Sequence, residues 1–281
     1  MAQDDPTRRG VLAAAGTLTG FAMAAQPVVA QTVIQTDTAG LEARDVQIPA
    51  ADRAIPAYMA RPAGGTAAPV VLVVPEIFGL HEHIKDVARR LAKAGHFAVA
   101  IEPFARQGDP TRQADMQALI RDIVSRTPDA QVMSDLDAAV AWAKAQGGDT
   151  GRLAITGFCW GGRIVWLYAA HNPGLKAGAA WYGRLEGETN PLQPRHPIGV
   201  VRELKAPVLG LYGGADTGIP VASVERMRAA LREAGQAKSE IIVFDGVPHA
   251  FNADYRPSYR EAAAKEGWQR MLAFFQANGA G

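Results

Sequence analysis

Leu153-Ala154-Ile155-Thr156-Gly157-Phe158-Cys159-Trp160-Gly161-Gly162 is the stretch that decides the fold. Leu153 to Thr156 is apolar enough to read as a short strand, and Trp160 to Ala170 reads as a helix. Between them Gly157-Phe158-Cys159-Trp160-Gly161 must reverse the chain sharply and place a thiol at the tip of the turn. The flanking glycines have a mechanical reason, because strand and helix pass too closely there for a side chain. The free N–H groups and positive dipole end of the helix point toward the sulfur and favour its anion.

Working outward, a nucleophile on such a turn needs a base and a carboxylate to orient it, each on the loop after a later strand. Asp216 stands in Gly213-Gly214-Ala215-Asp216, directly after the predicted strand Val208 to Tyr212. His249 stands in Gly246-Val247-Pro248-His249-Ala250-Phe251, after the predicted strand Ile241 to Phe244. Stabilising an oxyanion takes two N–H donors. One is Trp160, next to the thiol; the other is Ile77, in the loop Pro75-Glu76-Ile77-Phe78-Gly79 after the strand Val70 to Val74.

The remaining chain alternates strand-like and helix-like segments, which predicts one α/β domain with a mostly parallel sheet flanked by helices. Val46 to Ile48 and Ile55 to Met59 form an opening hairpin, and Phe97 to Ile101 is a further strand. Helices are expected over about Ile84 to Ala94, Arg112 to Ser125, Ala130 to Gln146, Val221 to Ala234 and Tyr259 to Ala277, with Gly183 to Lys205 as a loop. The 281 residues carry 29 Lys and Arg against 28 Asp and Glu, a net charge of +1, so no basic field exists to hold nucleic acid or an anionic membrane. Cys159 is the single cysteine, which excludes an internal disulfide and a multi-cysteine metal site. His81 and His83 read as a solvated helix end without a third ligand, and His96, His171 and His196 as loop residues. No metal or cofactor is expected, and a monomer is.

The first thirty residues read as an address. Thr7-Arg8-Arg9-Gly10-Val11-Leu12 opens a mild apolar stretch to Ala25, and Val28-Val29-Ala30 offers small side chains for cleavage. Paired arginines, weak apolar core and cleavage site in that order resemble a twin-arginine signal, which predicts export by that machinery to the periplasm and a mature domain over 31–281. The apolar part is too short and too interrupted to span a bilayer.

These motifs resemble those of the dienelactone hydrolases (carboxymethylenebutenolidases), an α/β-hydrolase family with a Cys–His–Asp triad. The resemblance runs from about Ala43 to Ala277 through Pro75-Glu76-Ile77-Phe78-Gly79, Glu102-Pro103-Phe104-Ala105-Arg106-Gln107, Gly157-Phe158-Cys159-Trp160-Gly161-Gly162, Trp181-Tyr182-Gly183 and the Asp216 and His249 loops. It implies hydrolysis of a small lactone or ester, with Cys159, His249 and Asp216 catalytic and Glu76 helping to switch the cysteine on. It further implies that Arg106 holds a substrate carboxylate and that Tyr182 lines the pocket. Where known members carry a Ser and an Arg after the histidine, this chain has Ala250 and Ala253, with Arg256 nearby. Two other functions fit the same residues: a broad esterase or thioesterase, and a non-catalytic redox sensor using Cys159 as an oxidisable thiol.

Overall fold

The computed structural model describes residues 34–64, 67–113 and 115–281; the signal segment expected over 1–30 lies outside them. Strands β1 (Leu41–Pro49) and β2 (Ala54–Pro62) form the opening hairpin, with Ile48 opposite Ile55. Six more follow: β3 (Pro69–Val74), β4 (Phe97–Ile101), β5 (Asp149–Phe158), β6 (Leu175–Trp181), β7 (Val208–Gly213) and β8 (Glu240–Phe244). They make one sheet in the order β1-β2-β4-β3-β5-β6-β7-β8. β2 runs antiparallel to both of its neighbours, and every pair from β4 to β8 is parallel.

The parallel part is covered on both faces by α1 (Glu82–Lys93), α2 (Asp129–Ala145), α3 (Trp160–His171), α4 (Val221–Glu233) and α5 (Glu261–Ala277). Such a sheet needs strands that are apolar on both sides. Pro69-Val70-Val71-Leu72-Val73-Val74 meets this, with all six residues buried. The expected single-domain α/β architecture is therefore present, with strand positions close to those read from the sequence.

One helix is not. The segment expected as a helix over 112–125 breaks into a 3₁₀ turn at Pro110–Arg112, one α-turn at Met116–Ala118, a π-turn at Leu119–Ile123 and a second 3₁₀ turn at Val124–Arg126. Asp109 and Asp115 cause the interruptions: each side chain accepts hydrogen bonds from backbone N–H groups just ahead of it and so starts a new turn. The long connection after β6 stays a loop with two 3₁₀ turns. It is pinned by Arg163 of α3, which bonds both oxygens of Asp129 at 2.7 Å and the Arg195 carbonyl at 2.6 Å.

Candidate active site

The sheet delivers the candidate residues to one edge, the carboxyl ends of β3, β5, β6, β7 and β8. Cys159 follows β5 directly and begins α3 with φ 54° and ψ −112°, a left-handed backbone that a non-glycine residue adopts only under constraint. The constraint is close packing. A Cβ on Gly161 would lie 2.3 Å from the Val74 carbonyl oxygen and 2.6 Å from that of Pro75. One on Gly162 would lie 2.6 Å from the Trp181 carbonyl oxygen. The helix start is thus seated against the ends of β3 and β6, and the Cys159 N–H donates to the Trp181 carbonyl at 2.9 Å.

The turn after β7 holds Asp216 by two backbone donors, Gly218 N–H at 2.9 Å and Ile219 N–H at 3.1 Å, both to Oδ1. Its free Oδ2 lies 2.6 Å from Nδ1 of His249, and both side chains are buried. With Nδ1 bonded to Asp216, the other ring nitrogen is left for the Cys159 thiol, with which His249 also hydrogen-bonds. Burial works against a charged imidazole, but the sulfur and the Asp216 carboxylate outweigh it and push the His249 pKa up to about 10. The structure therefore brings together the three residues read from separate loops.

Glu76 is buried at the end of β3. Burial alone would keep its carboxyl neutral. A 2.9 Å hydrogen bond from Oε2 to Nε2 of His81, with the nearby charges of His81, His83 and Arg256, reverses this and brings it down to about 2. Its Oε1 is buried without a hydrogen-bond partner among the described residues. Tyr182, Tyr255 and Arg256 each interact electrostatically with both Glu76 and Cys159, so carboxylate and sulfur share the same three polar neighbours. Ile77 lies in the turn seated on Gly161, and Trp160 is the first helical residue of α3, whose N–H has no acceptor within the helix.

Tyr182 also holds a left-handed backbone, at φ 39°. Its ring stands edge-on to His249 with centroids 5.0 Å apart, and its buried hydroxyl has no partner among the described residues. Burial, with Glu76 and Cys159 close by, raises its pKa well above that of free tyrosine, so the hydroxyl keeps its proton.

Arg106 sits elsewhere in purpose. It makes a bidentate pair with Asp135 at 2.7 and 2.9 Å and a second with Asp52 at 2.8 and 2.5 Å. Two carboxylates already fill its fork, and a substrate carboxylate would have to displace one of them to take the role that the resemblance implies. The guanidinium at the pocket is Arg256. It is buried between the rings of Phe78 and Tyr255, 4.8 and 5.2 Å from their centroids, and its Nε lacks a partner among the described residues.

The two histidines at the start of α1 are not solvated. His81 is mostly covered and bonded to Glu76, while His83 is fully buried with Nδ1 3.3 Å from Asp254 Oδ1. Their five- and seven-residue spacing from Glu76 across a tight glycine turn was the available signal. His96 is buried, His196 is half-buried beside the Glu188 carbonyl, and His171 closes α3 against Asp137 at 2.7 Å. Among the described residues no helix is long and apolar enough to cross a membrane.

The family model described as "Dienelactone hydrolase family" matches residues 55–279. A "Putative carboxymethylenebutenolidase" of Methylorubrum extorquens is 58% identical over 279 residues, covering 99% of this chain and 95% of that protein. A protein of the same name from Salmonella typhimurium is 56% identical over 257 residues, covering 91% and 94%. The crystal structure of a "Putative Dienelactone Hydrolase" from Klebsiella pneumoniae superposes with a TM-score of 0.82 at 55% identity, covering 84% of this chain and 98% of that one. Sequence motifs and sheet agree with these matches, and the chain belongs to the dienelactone hydrolase family, carboxylic ester hydrolases on the α/β-hydrolase fold.

Proposed function

We propose that this enzyme opens lactones and cleaves activated esters through a thioester on Cys159. The observation that carries the reading is the Asp216–His249 hydrogen bond at 2.6 Å, with His249 also bonded to the thiol of the strained turn. His249, whose raised pKa lets it hold the proton given up by the thiol, stands paired with the sulfur, and the sulfur attacks the substrate carbonyl. The N–H groups of Ile77 and Trp160 receive the oxyanion. The C–O bond breaks, the leaving oxygen takes the proton from His249, and the acyl group stays on sulfur. Water then gives its proton to His249 and its oxygen to the acyl carbon; the C–S bond breaks, and sulfur recovers a proton from the ring. Glu76, ionised beside the same pocket, is the carboxylate that helps activate the thiol.

The choice of sulfur selects the substrate. A thiolate leaves a tetrahedral intermediate more readily than an alkoxide does, so simple alkyl esters revert. Enol esters and enol lactones expel a stabilised enolate and go forward. Arg256, held between two rings with its Nε unpartnered among the described residues, gives the site a place for a substrate carboxylate. Tyr182 forms the wall beside His249. Rates on an enol lactone, an alkyl ester and p-nitrophenyl esters test the reading, with Cys159→Ala as control. The lactone should be preferred over the alkyl ester, and Cys159→Ala should be inactive. Hydrolysis surviving in that variant would sink the mechanism. Equal rates across the panel would favour a broad esterase, and sulfenic acid formation without hydrolysis a redox sensor.

We also propose that residues 1–30 direct the chain to the twin-arginine machinery and are removed, leaving a periplasmic enzyme. The support is Arg8-Arg9 followed by the weak apolar stretch and Val28-Val29-Ala30.

A further inference from the structure

His81 occupies the position before the first residue of α1, where a side chain ordinarily accepts a hydrogen bond from the free N–H groups of the helix. It makes no such bond. Its ring turns the other way and places Nε2 2.9 Å from Oε2 of Glu76, the one hydrogen bond found for that buried carboxylate among the described residues. The ring is itself fixed. Tyr255 meets it edge-on at 5.2 Å, Phe78 edge-on at 6.5 Å, and His83 stacks at 6.1 Å. The backbone between the pair is equally constrained, since Gly79 turns at φ 70° and a Cβ there would lie 2.3 Å from a Glu102 oxygen. A helix cap has been given up, and what it gains is a carboxylate held by one oxygen, the other having no hydrogen-bond partner among the described residues.

We infer that His81 is a positioning residue for the reaction: it anchors Oε2 of Glu76 so that Oε1 stays presented to the pocket that Glu76 shares with Cys159. This rests on the reading of Glu76 as the activating carboxylate. Without the anchor, Glu76 has three other groups to turn to. Arg256, already close enough to act on its charge, would draw it into a direct ion pair, and the Tyr182 and Tyr255 hydroxyls, both unpartnered among the described residues, could bond it. Either outcome removes the free oxygen and ties up the residue assigned to the substrate carboxylate. His81 thereby keeps two opposite charges in one pocket from cancelling each other.

The test is a double-mutant cycle on acylation, read as the burst of p-nitrophenolate from a p-nitrophenyl ester in stopped flow, with melting curves for each variant. Glu76→Ala and His81→Ala should each slow the burst about ten- to a hundredfold, the range for a hydrogen bond to a charged group. The double variant should be no slower than Glu76→Ala. His81→Gln, whose amide N–H reaches the same oxygen, should recover most of the rate, and His81→Asn, one methylene short, should not; this second pair decides the matter if His81→Ala fails to fold. A slow Glu76→Ala with a normal His81→Ala, or effects that multiply in the double variant, would overturn the role of His81 and leave that of Glu76. A normal burst in Glu76→Ala would overturn both.

Discussion

At the scale of single residues, the candidate triad was legible because each member is marked by its own turn. Glycines flank Cys159, Asp216 follows Gly213-Gly214, and Pro248 precedes His249. The ion pairs of Arg106 are hidden for the opposite reason. Its partners Asp52 and Asp135 lie 54 and 29 residues away in the chain, and nothing local announces them. The structure reverses the expectation for a charge-removal experiment. Arg106→Ala would leave Asp135 buried without its partner and should cost about 3 kcal/mol of stability, seen as a lower Tm. The ratio of kcat/KM for an anionic and a neutral lactone should not move. Arg256→Ala should lower that ratio roughly tenfold to a hundredfold, because it removes a charged contact inside the pocket. Equal ratios in both variants would show that the natural substrate is not an anion. His249 supplies a pH dependence. Its folded pKa, at about 10, lies above the unfolded value of ~6.5. The stabilisation from its charge is therefore complete below pH ~6.5 and is lost as pH rises through about 10. In Cys159→Ala the sulfur's share disappears while burial remains, so the imidazole midpoint followed by NMR should fall; an unchanged midpoint would mean that Asp216 alone holds the proton.

At the scale of elements, β3, β4 and α3 were readable to within about two residues, because apolar runs and helical periods bounded by glycine carry their own limits. The region 110–126 was not, since its apolar spacing allows a helix while two aspartates capture backbone donors that a helix would need. Between these cases lies the junction of β5 and α3, where sequence pattern and packing agree. Gly161→Ala places a methyl 2.3 Å from the Val74 carbonyl oxygen, against backbone that cannot swing aside. Overpacking of this kind costs about 1–3 kcal/mol. Here it also pushes apart the two turns that carry the Ile77 and Trp160 N–H groups, so kcat should fall more than tenfold even where the variant still folds. Gly199→Ala, with nothing within 4 Å of its new methyl, should change neither Tm nor kcat. Normal activity in Gly161→Ala would show that this contact does not set the oxyanion donors.

At the scale of the whole molecule, composition and alternation sufficed for one α/β domain, whereas the pocket's charge balance was hidden until loops distant in sequence came together. Export concerns the folded molecule as a whole, because a twin-arginine signal carries a folded protein. Replacing Arg8 and Arg9 by Lys in a fusion of residues 1–30 to a reporter should keep the reporter in the cytoplasm, and undiminished export through the general secretory route would refute the assignment. The sheet holds one more consequence. β8 is five residues long, bonds among the described residues to β7 alone, and leaves four of its residues partly or wholly open to solvent, yet the loop bearing His249 hangs from its end. β5, which leads to Cys159, is clasped on both sides. Nucleophile and base thus belong to regions of unequal cohesion, and local opening at the sheet's margin separates them while the interior stays closed. Amide exchange should be faster along β8 than along β5. On warming, a fraction of molecules should fall silent and recover on cooling before any cooperative melting begins, so that the working temperature limit is set by the frayed border of the sheet and not by its centre.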